Sequence, residues 1–366
     1  MDFAELAFNK IEGLSLRNDS FYVPENIHTS DKFGITKALQ EWNGKDKVVF
    51  LFSVSLSEQE QVSNTLIRKE LYALENIKRP FLFFDLGDLK ISKEKAESAL
   101  TYIFSEVHEN FEADYKFVVL APSRKLIPPI ATAIPEKDII VSDVNIRFDL
   151  EKETKQLNNS GKILFYNLLP VLQFYYNKEV HGNSDYVNII RLGEIKNDTF
   201  LAEPYFRESR LAVYSADAVS AVFAPGSDMK SPNGLDAYQF STFSYLAAIC
   251  HSIRYNVYTA YNHPSDDPAN LTGKLLAQSL WLYLNTFTTA EEEDPKIMSE
   301  TDDFEKFIHY YTDFDSELIF YKSKKTGRMW FYVPGQDFFV AISEKEYLNI
   351  TKGLVPDRIF KILKKL

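Results

Sequence analysis

The chain has 366 residues, enough to bury a sizeable core either as one large α/β domain or as a domain with an appendage. Its 45% hydrophobic and 14% aromatic content belongs to a packed globular protein, not a disordered one. A net charge of −11, from 41 basic and 52 acidic residues, repels phosphate backbones and anionic lipid, which argues against nucleic acid and membrane surfaces as partners.

The opening "MDFAELAFNKIEG" carries acidic residues where a secretory leader carries positive ones, and no run approaches the roughly 18 apolar residues of a membrane span. The expectation is a soluble cytoplasmic protein. Residues 1–45 fit no recognisable pattern and stay unplaced. From residue 46 to 290, short apolar runs alternate with longer helical patterns. "KVVFLFSV" (47–54), "PFLFFDLG" (80–87), "KFVVLA" (116–121), "DIIVSDVN" (138–145), "YVNIIRLG" (186–193), "RLAVYSAD" (210–217) and "YNVYTAYN" (255–262) are the runs. Runs that are apolar throughout predict strands covered on both faces, hence an α/β fold of three layers with a mainly parallel central sheet. Asp85, Asn145, Asp217 and Asn262 are predicted at the carboxyl ends of these strands, the edge where open parallel sheets bind ligands.

Residues 291–366 change character. After the charged break "EEEDPKIMSETDDFEKF", "SELIFYKSKKTGRMWFYVP" predicts a β-hairpin and "VPDRIFKILKKL" a short basic helix. This extension is expected to pack on the main domain or on a neighbouring subunit. The 13 glycines form no phosphate-binding loop, and there are no internal repeats. The single cysteine, Cys250, can make neither an intrachain disulfide nor a thiolate zinc cluster, and its apolar surroundings predict a buried structural thiol. Ser215 has no nearby histidine base and no nucleophile-elbow glycines, which argues against serine hydrolysis.

The run "SADAVSAVFAPGSDMKSPNGLD" (215–236) resembles the arginase, agmatinase and formimidoylglutamase (ureohydrolase) family, whose members carry S-x-D-x-D, then A-P-G, then P-x-G-L. "YTAYNHPSDDPANLTGKLLAQSLWLYL" resembles the family's following strand and closing helix, and the tail resembles an extension on formimidoylglutamase-like members. The resemblance implies an arginase-like fold. In active members it also implies two Mn²⁺ ions, bridged by carboxylates and histidines, that supply a metal-bound hydroxide to a guanidino or formimino carbon.

The ligand motifs, however, are eroded. G-G-x-H-S falls on "APSRK", with Arg124 in the histidine's place. D-A-H-x-D falls on "NIRFD", with Asn145, Arg147 and Asp149 at the ligand places; the register that starts at Asp143 is no better equipped. S-x-D-x-D becomes "SADAV", keeping Asp217 and losing its partner to Val219, and the substrate-binding acid falls near Ala260. Only Asp149 and Asp217 remain as vestigial ligands. A guanidinium has no lone pair to give. At about 4 Å it opposes a unit positive charge by roughly 4 kcal/mol at an effective dielectric near 20, and a divalent ion by twice that. Arg124 and Arg147 are therefore expected to pair with Asp149 and Asp217 in the metals' stead. The plainer reading of Arg124 is a solvated loop residue.

"NHPSDD" (262–267) offers His263, Asp266 and Asp267 as a rebuilt metal site, or simply a polar loop capping a helix. His28, His108, His181, His251 and His309 have no evident partners. The functional expectation is a non-catalytic member of the family, free of cofactor, with a structural or protein-interaction role and a protein partner or a second copy of itself. Two alternatives stand beside it. One is a manganese-dependent hydrolase of guanidino or formimino C–N bonds, using Asp149, Asp217 and His263. The other is a metal-free module that binds a small anion through the two arginines.

Overall fold

A computed structural model describes residues 8–9, 47–75, 77, 81–111, 114–146, 157, 160–172, 186–291, 293, 302–311, 316–333 and 337–365. The central sheet contains β1 (Phe8–Asn9), β2 (Val48–Ser55), β3 (Leu82–Lys90), β4 (Tyr115–Ala121), β5 (Ile139–Val144), β6 (Ile163–Val171), β7 (Val187–Arg191), β8 (Leu211–Ser215) and β9 (Tyr255–Thr259). Their order is β1-β3-β2-β4-β9-β8-β5-β6-β7. Short β1 pairs antiparallel to β3 at one edge, and the other eight strands are parallel to their neighbours.

The period of two along β2 builds the layers. Val49 and Leu51 enter one core, with Ile67 and Leu71 of α1 (Glu58–Leu71), Phe240 and Phe243 of α6 (Ala237–Ala248), and Leu276 and Leu280 of α7 (Leu271–Thr289). Val48, Phe50 and Phe52 enter the other, with Leu100, Ile103 and Phe104 of α2 (Lys93–Asn110) and Ile127 and Ile130 of α3 (Ile127–Ala133). Each helix contributes residues three or four apart, the stripe an amphipathic helix lays on a sheet. α1 begins where the Ser57 hydroxyl accepts the Glu60 N–H, with Glu58 and Glu60 in its first turn and Arg68 and Lys69 in its last. Among the described residues no helix is long and apolar enough to cross a membrane.

β4 hands its chain to α3 on one face and β9 hands its chain to α7 on the other. Connections that part this way open a crevice at the carboxyl edge. The predicted strands match β2–β5 and β7–β9, while β6 went unlisted. Asp85 was expected at a strand end. It lies inside β3, where its carboxylate accepts from Arg68 Nε at 2.8 Å and Nη2 at 3.0 Å and from the Tyr72 hydroxyl.

The expected hairpin is the middle of a four-stranded antiparallel sheet, in the order β10 (Phe304–Tyr311), β11 (Ser316–Ser323), β12 (Met329–Val333) and β13 (Phe338–Ile342). Gly327, at φ 74°, closes the β11–β12 turn. Two short helices, α8 (Glu344–Ile350) and α9 (Asp357–Lys365), follow. Phe165 of β6 joins Phe320, Phe331 and Val340 in one apolar cluster, which seats this sheet on the main one. Arg358 fixes the joint by pairing with Glu208 at 2.6 Å, in α5 (Glu203–Glu208), and with Glu346 at 3.0 Å.

Candidate functional site

Adjacent strands β4, β9, β8 and β5 bring the carboxyl-edge residues together. Arg124 stands at the start of a short 3₁₀ turn, Arg124–Leu126, whose entry is held by the Ser123 hydroxyl accepting the Lys125 N–H. Its guanidinium faces inward and donates twice to Asp143, Nη2 to Oδ2 at 2.7 Å and Nη1 to Oδ1 at 3.2 Å. Asp143 is the next-to-last residue of β5 and fully buried, and Oδ2 also accepts the Tyr166 hydroxyl at 2.5 Å. The solvated-loop reading of Arg124 is therefore wrong: its side chain is only 13% exposed. Its described partner is a carboxylate that the sequence reading had set aside. β5 ends at Val144, so the register that begins the second motif at Asp143 places a carboxylate where the strand opens into the crevice.

Asn145 follows β5, is buried, and donates its N–H to the Leu169 carbonyl at 2.9 Å. Arg147 and Asp149 lie outside the described residues. Asp217 is buried in the 3₁₀ turn Ala216–Ala218, where its Oδ1 accepts the Met229 N–H at 2.6 Å and so ties the turn to the loop after it. Val219 is fully buried and bridges to Leu235. Ala260 is fully buried at φ 62°, with its N–H on the Pro122 carbonyl at 2.9 Å. A left-handed conformation off glycine costs on the order of 1–3 kcal/mol, and here the hook from β9 to the β4 loop holds it. No functional group at 260 is available to receive a guanidinium.

His263 donates its backbone N–H to Ser63 Oγ at 3.1 Å, and its buried Nδ1 finds no partner among the described residues. Asp266 and Asp267 do not join it. The Asp266 carboxylate accepts from Thr272 N at 3.0 Å, Thr272 Oγ1 at 2.8 Å and Gly273 N at 3.3 Å, and Asp267 accepts from Leu271 N at 2.8 Å. Both aspartates serve the N-terminus of α7, as the capping reading expected. Among the described residues no three His, Cys, Asp or Glu side chains form a group suited to a metal ion. At two of the places where the resemblance puts manganese ligands, the described residues offer none: the Arg124 guanidinium grips the Asp143 carboxylate from the histidine's place, and Val219 has no donor atom.

The two motif glycines have structural work. A Cβ on Gly234 would stand 2.5 Å from the Ser220 nitrogen and 2.7 Å from the Val219 carbonyl carbon, and one on Gly226 would stand 2.8 Å from Asp266 Cγ. Cys250 is buried with its Sγ–H directed at the Leu246 carbonyl, and burial pushes its thiol up to about 12. Outside the crevice, His108 Nδ1 lies 3.1 Å from the Tyr115 hydroxyl, and His251 and His309 lie away from the carboxyl edge. His28 and His181 are outside the described residues.

No protein-family model and no curated protein sequence matches this chain. Solved structures do. Formimidoylglutamase from Bacillus subtilis superposes with a TM-score of 0.59 at 16% identity, covering 69% of this chain and 91% of that one. Formiminoglutamase from Trypanosoma cruzi, solved with Mn²⁺, gives 0.56 at 14% identity, covering 69% and 98%. Arginase from Medicago truncatula gives 0.54 at 12%, covering 69% and 90%. The chain has the arginase (ureohydrolase) fold, in agreement with the resemblance read from the sequence.

Proposed function

We propose that this chain is a ureohydrolase-family protein in which an arginine–carboxylate cluster has taken over the structural task of the metal ions, and that it acts without catalysis, as a structural or interaction protein. The observation that carries this reading is the bidentate Arg124–Asp143 pair, closed by the Tyr166 hydroxyl at the carboxyl edge. In a metal site, close-set anions separate and hold the cations; here one guanidinium neutralises one of those anions. The loss of donors at Arg124 and Val219 and of the substrate acid near Ala260 points the same way. So does the use of Asp266 and Asp267 as helix caps.

The interaction role draws support from apolar side chains on the segments that leave the carboxyl edge. Val222 is 72% exposed and Tyr238 81%, and Phe223 and Leu271 are exposed as well. The proposed location is the cytoplasm, and the proposed partner is another protein or a second copy of the chain. The test is hydrolysis of linear amidines, formiminoglutamate and guanidino compounds, assayed with added Mn²⁺ against a buffer blank. No turnover above the blank is expected. Turnover that disappears in Asp217→Asn would sink the proposal and restore the hydrolase reading.

A further inference from the structure

A cavity with described walls lies at the opposite edge of the sheet. It has a volume of about 830 Å³ and is bounded by the amino ends of β5, β6, β8 and β9 on one side and by β12 and β13 on the other. That volume is within the usual range for small-molecule sites, roughly 300–1,000 Å³. Nothing in the crevice at the carboxyl edge contributes to it.

The cavity walls divide by chemistry. Phe338 and Phe339, both half-buried, supply an aromatic surface. Arg210 and Arg254 supply the charge, and they share one carboxylate: Glu136 Oε1 lies 3.2 Å from Arg210 Nε and 3.8 Å from Arg254 Nη1. Two guanidinium groups on a single carboxylate leave an excess positive charge, and their side chains remain 32% and 22% exposed. Lys137 and Lys365 add cations and Asp138 one anion. The other carboxylates on the wall are already engaged, Glu208 by Arg358 and Glu293 by Arg328. Arg207 stacks its guanidinium 4.5 Å over the Trp330 ring, and its buried Nε–H has no acceptor among the described residues. In a chain of net charge −11 this is a local reversal of sign, which concentrates small anions.

We propose that this cavity is a binding site for a small organic anion, a carboxylate, phosphate or sulfonate carried on an aromatic or branched apolar body. The anion sits between Arg210 and Arg254, and the body lies on Phe338 and Phe339. This site is independent of whether the carboxyl-edge crevice is catalytic.

The test uses the full chain and 8-anilinonaphthalene-1-sulfonate, a fluorescent aromatic sulfonate, with calorimetry for stoichiometry. One saturable site per chain is expected. Arg254→Gln, which leaves Glu136 its Arg210 partner, lowers the affinity about tenfold, the loss of one charge-assisted contact. Lys137→Glu, at the exposed turn before β5, lowers it as well without threatening the fold. Uncharged Nile red binds wild type and both variants alike. Unchanged affinity for the sulfonate in both variants, or no saturable site in the wild type, overturns the proposal.

Discussion

Removing Arg124 tests the lock at the carboxyl edge. In Arg124→Ala the fully buried Asp143 loses two charge-assisted hydrogen bonds, at 2.7 and 3.2 Å, and keeps the Tyr166 hydroxyl among its described partners. Breaking a buried ion pair from one side costs about 3–5 kcal/mol, because the remaining charge is stranded away from water. The Arg124 side chain is 13% exposed, so some water reaches the pair, and the lower end, about 3 kcal/mol, applies. Urea unfolding followed by circular dichroism reads this directly. The triple variant Arg124→Met, Asp143→Leu, Tyr166→Phe removes every described member of the cluster and is expected to recover most of the loss, since an apolar replacement of a buried pair is near neutral. An Arg124→Ala loss within about 0.5 kcal/mol would mark a solvent-screened surface pair and refute the reasoning.

Gly234→Ala is expected to cost about 3 kcal/mol or to leave the protein insoluble, because the new methyl meets backbone atoms that cannot rotate away; a soluble variant of unchanged stability would contradict that contact. With its thiol pushed up to about 12 from an ordinary 9.0, Cys250 in the native protein should react with dithionitrobenzoate at pH 8 on the order of a thousandfold more slowly than in urea, and equal rates would place it at the surface. Burial also raises Tyr205 to about 12 and pushes up Tyr214, Tyr258 and Tyr283, while the unfolded chain ionises its tyrosines near 10. These groups favour the fold below pH 10, and that contribution is lost as pH rises, by up to about 1.4 kcal/mol per group per pH unit. The phenolate absorbance of all 21 tyrosines should therefore be reached only together with loss of circular dichroism, and its full development with the fold intact would contradict the burial.

The sheet was legible because its strands are buried on both faces and so read as apolar runs. β6 escaped because Pro170 sits within "ILFYNLLPV", and proline argues against a central strand. It is tolerated there because the β6–β7 register shifts between Leu168 and Val171, where the regular ladder is already interrupted. The motif glycines stayed readable because Gly226 and Gly234 are fixed by packing. Asp143 was passed over because the second motif was placed by where its last carboxylate fell. The strand's end at Val144 shows that Asp143 reaches the crevice. Asp85 was misplaced because its partner, Arg68, comes from a separate helix, and pairing across elements leaves no local signature. The amino-edge cavity was invisible for the same reason. It exists only where β12 and β13 meet the main sheet.

In the proposed reading a guanidinium and its carboxylate stand where metal ions would be held. The most direct test is the manganese content of the full chain, purified without chelator from manganese-supplemented cells and measured by inductively coupled plasma spectrometry. Well under about 0.1 ion per chain is expected, because Arg124 opposes a divalent cation at Asp143 by several kcal/mol. A content approaching about two ions per chain, as a bridged pair requires, would contradict that reading.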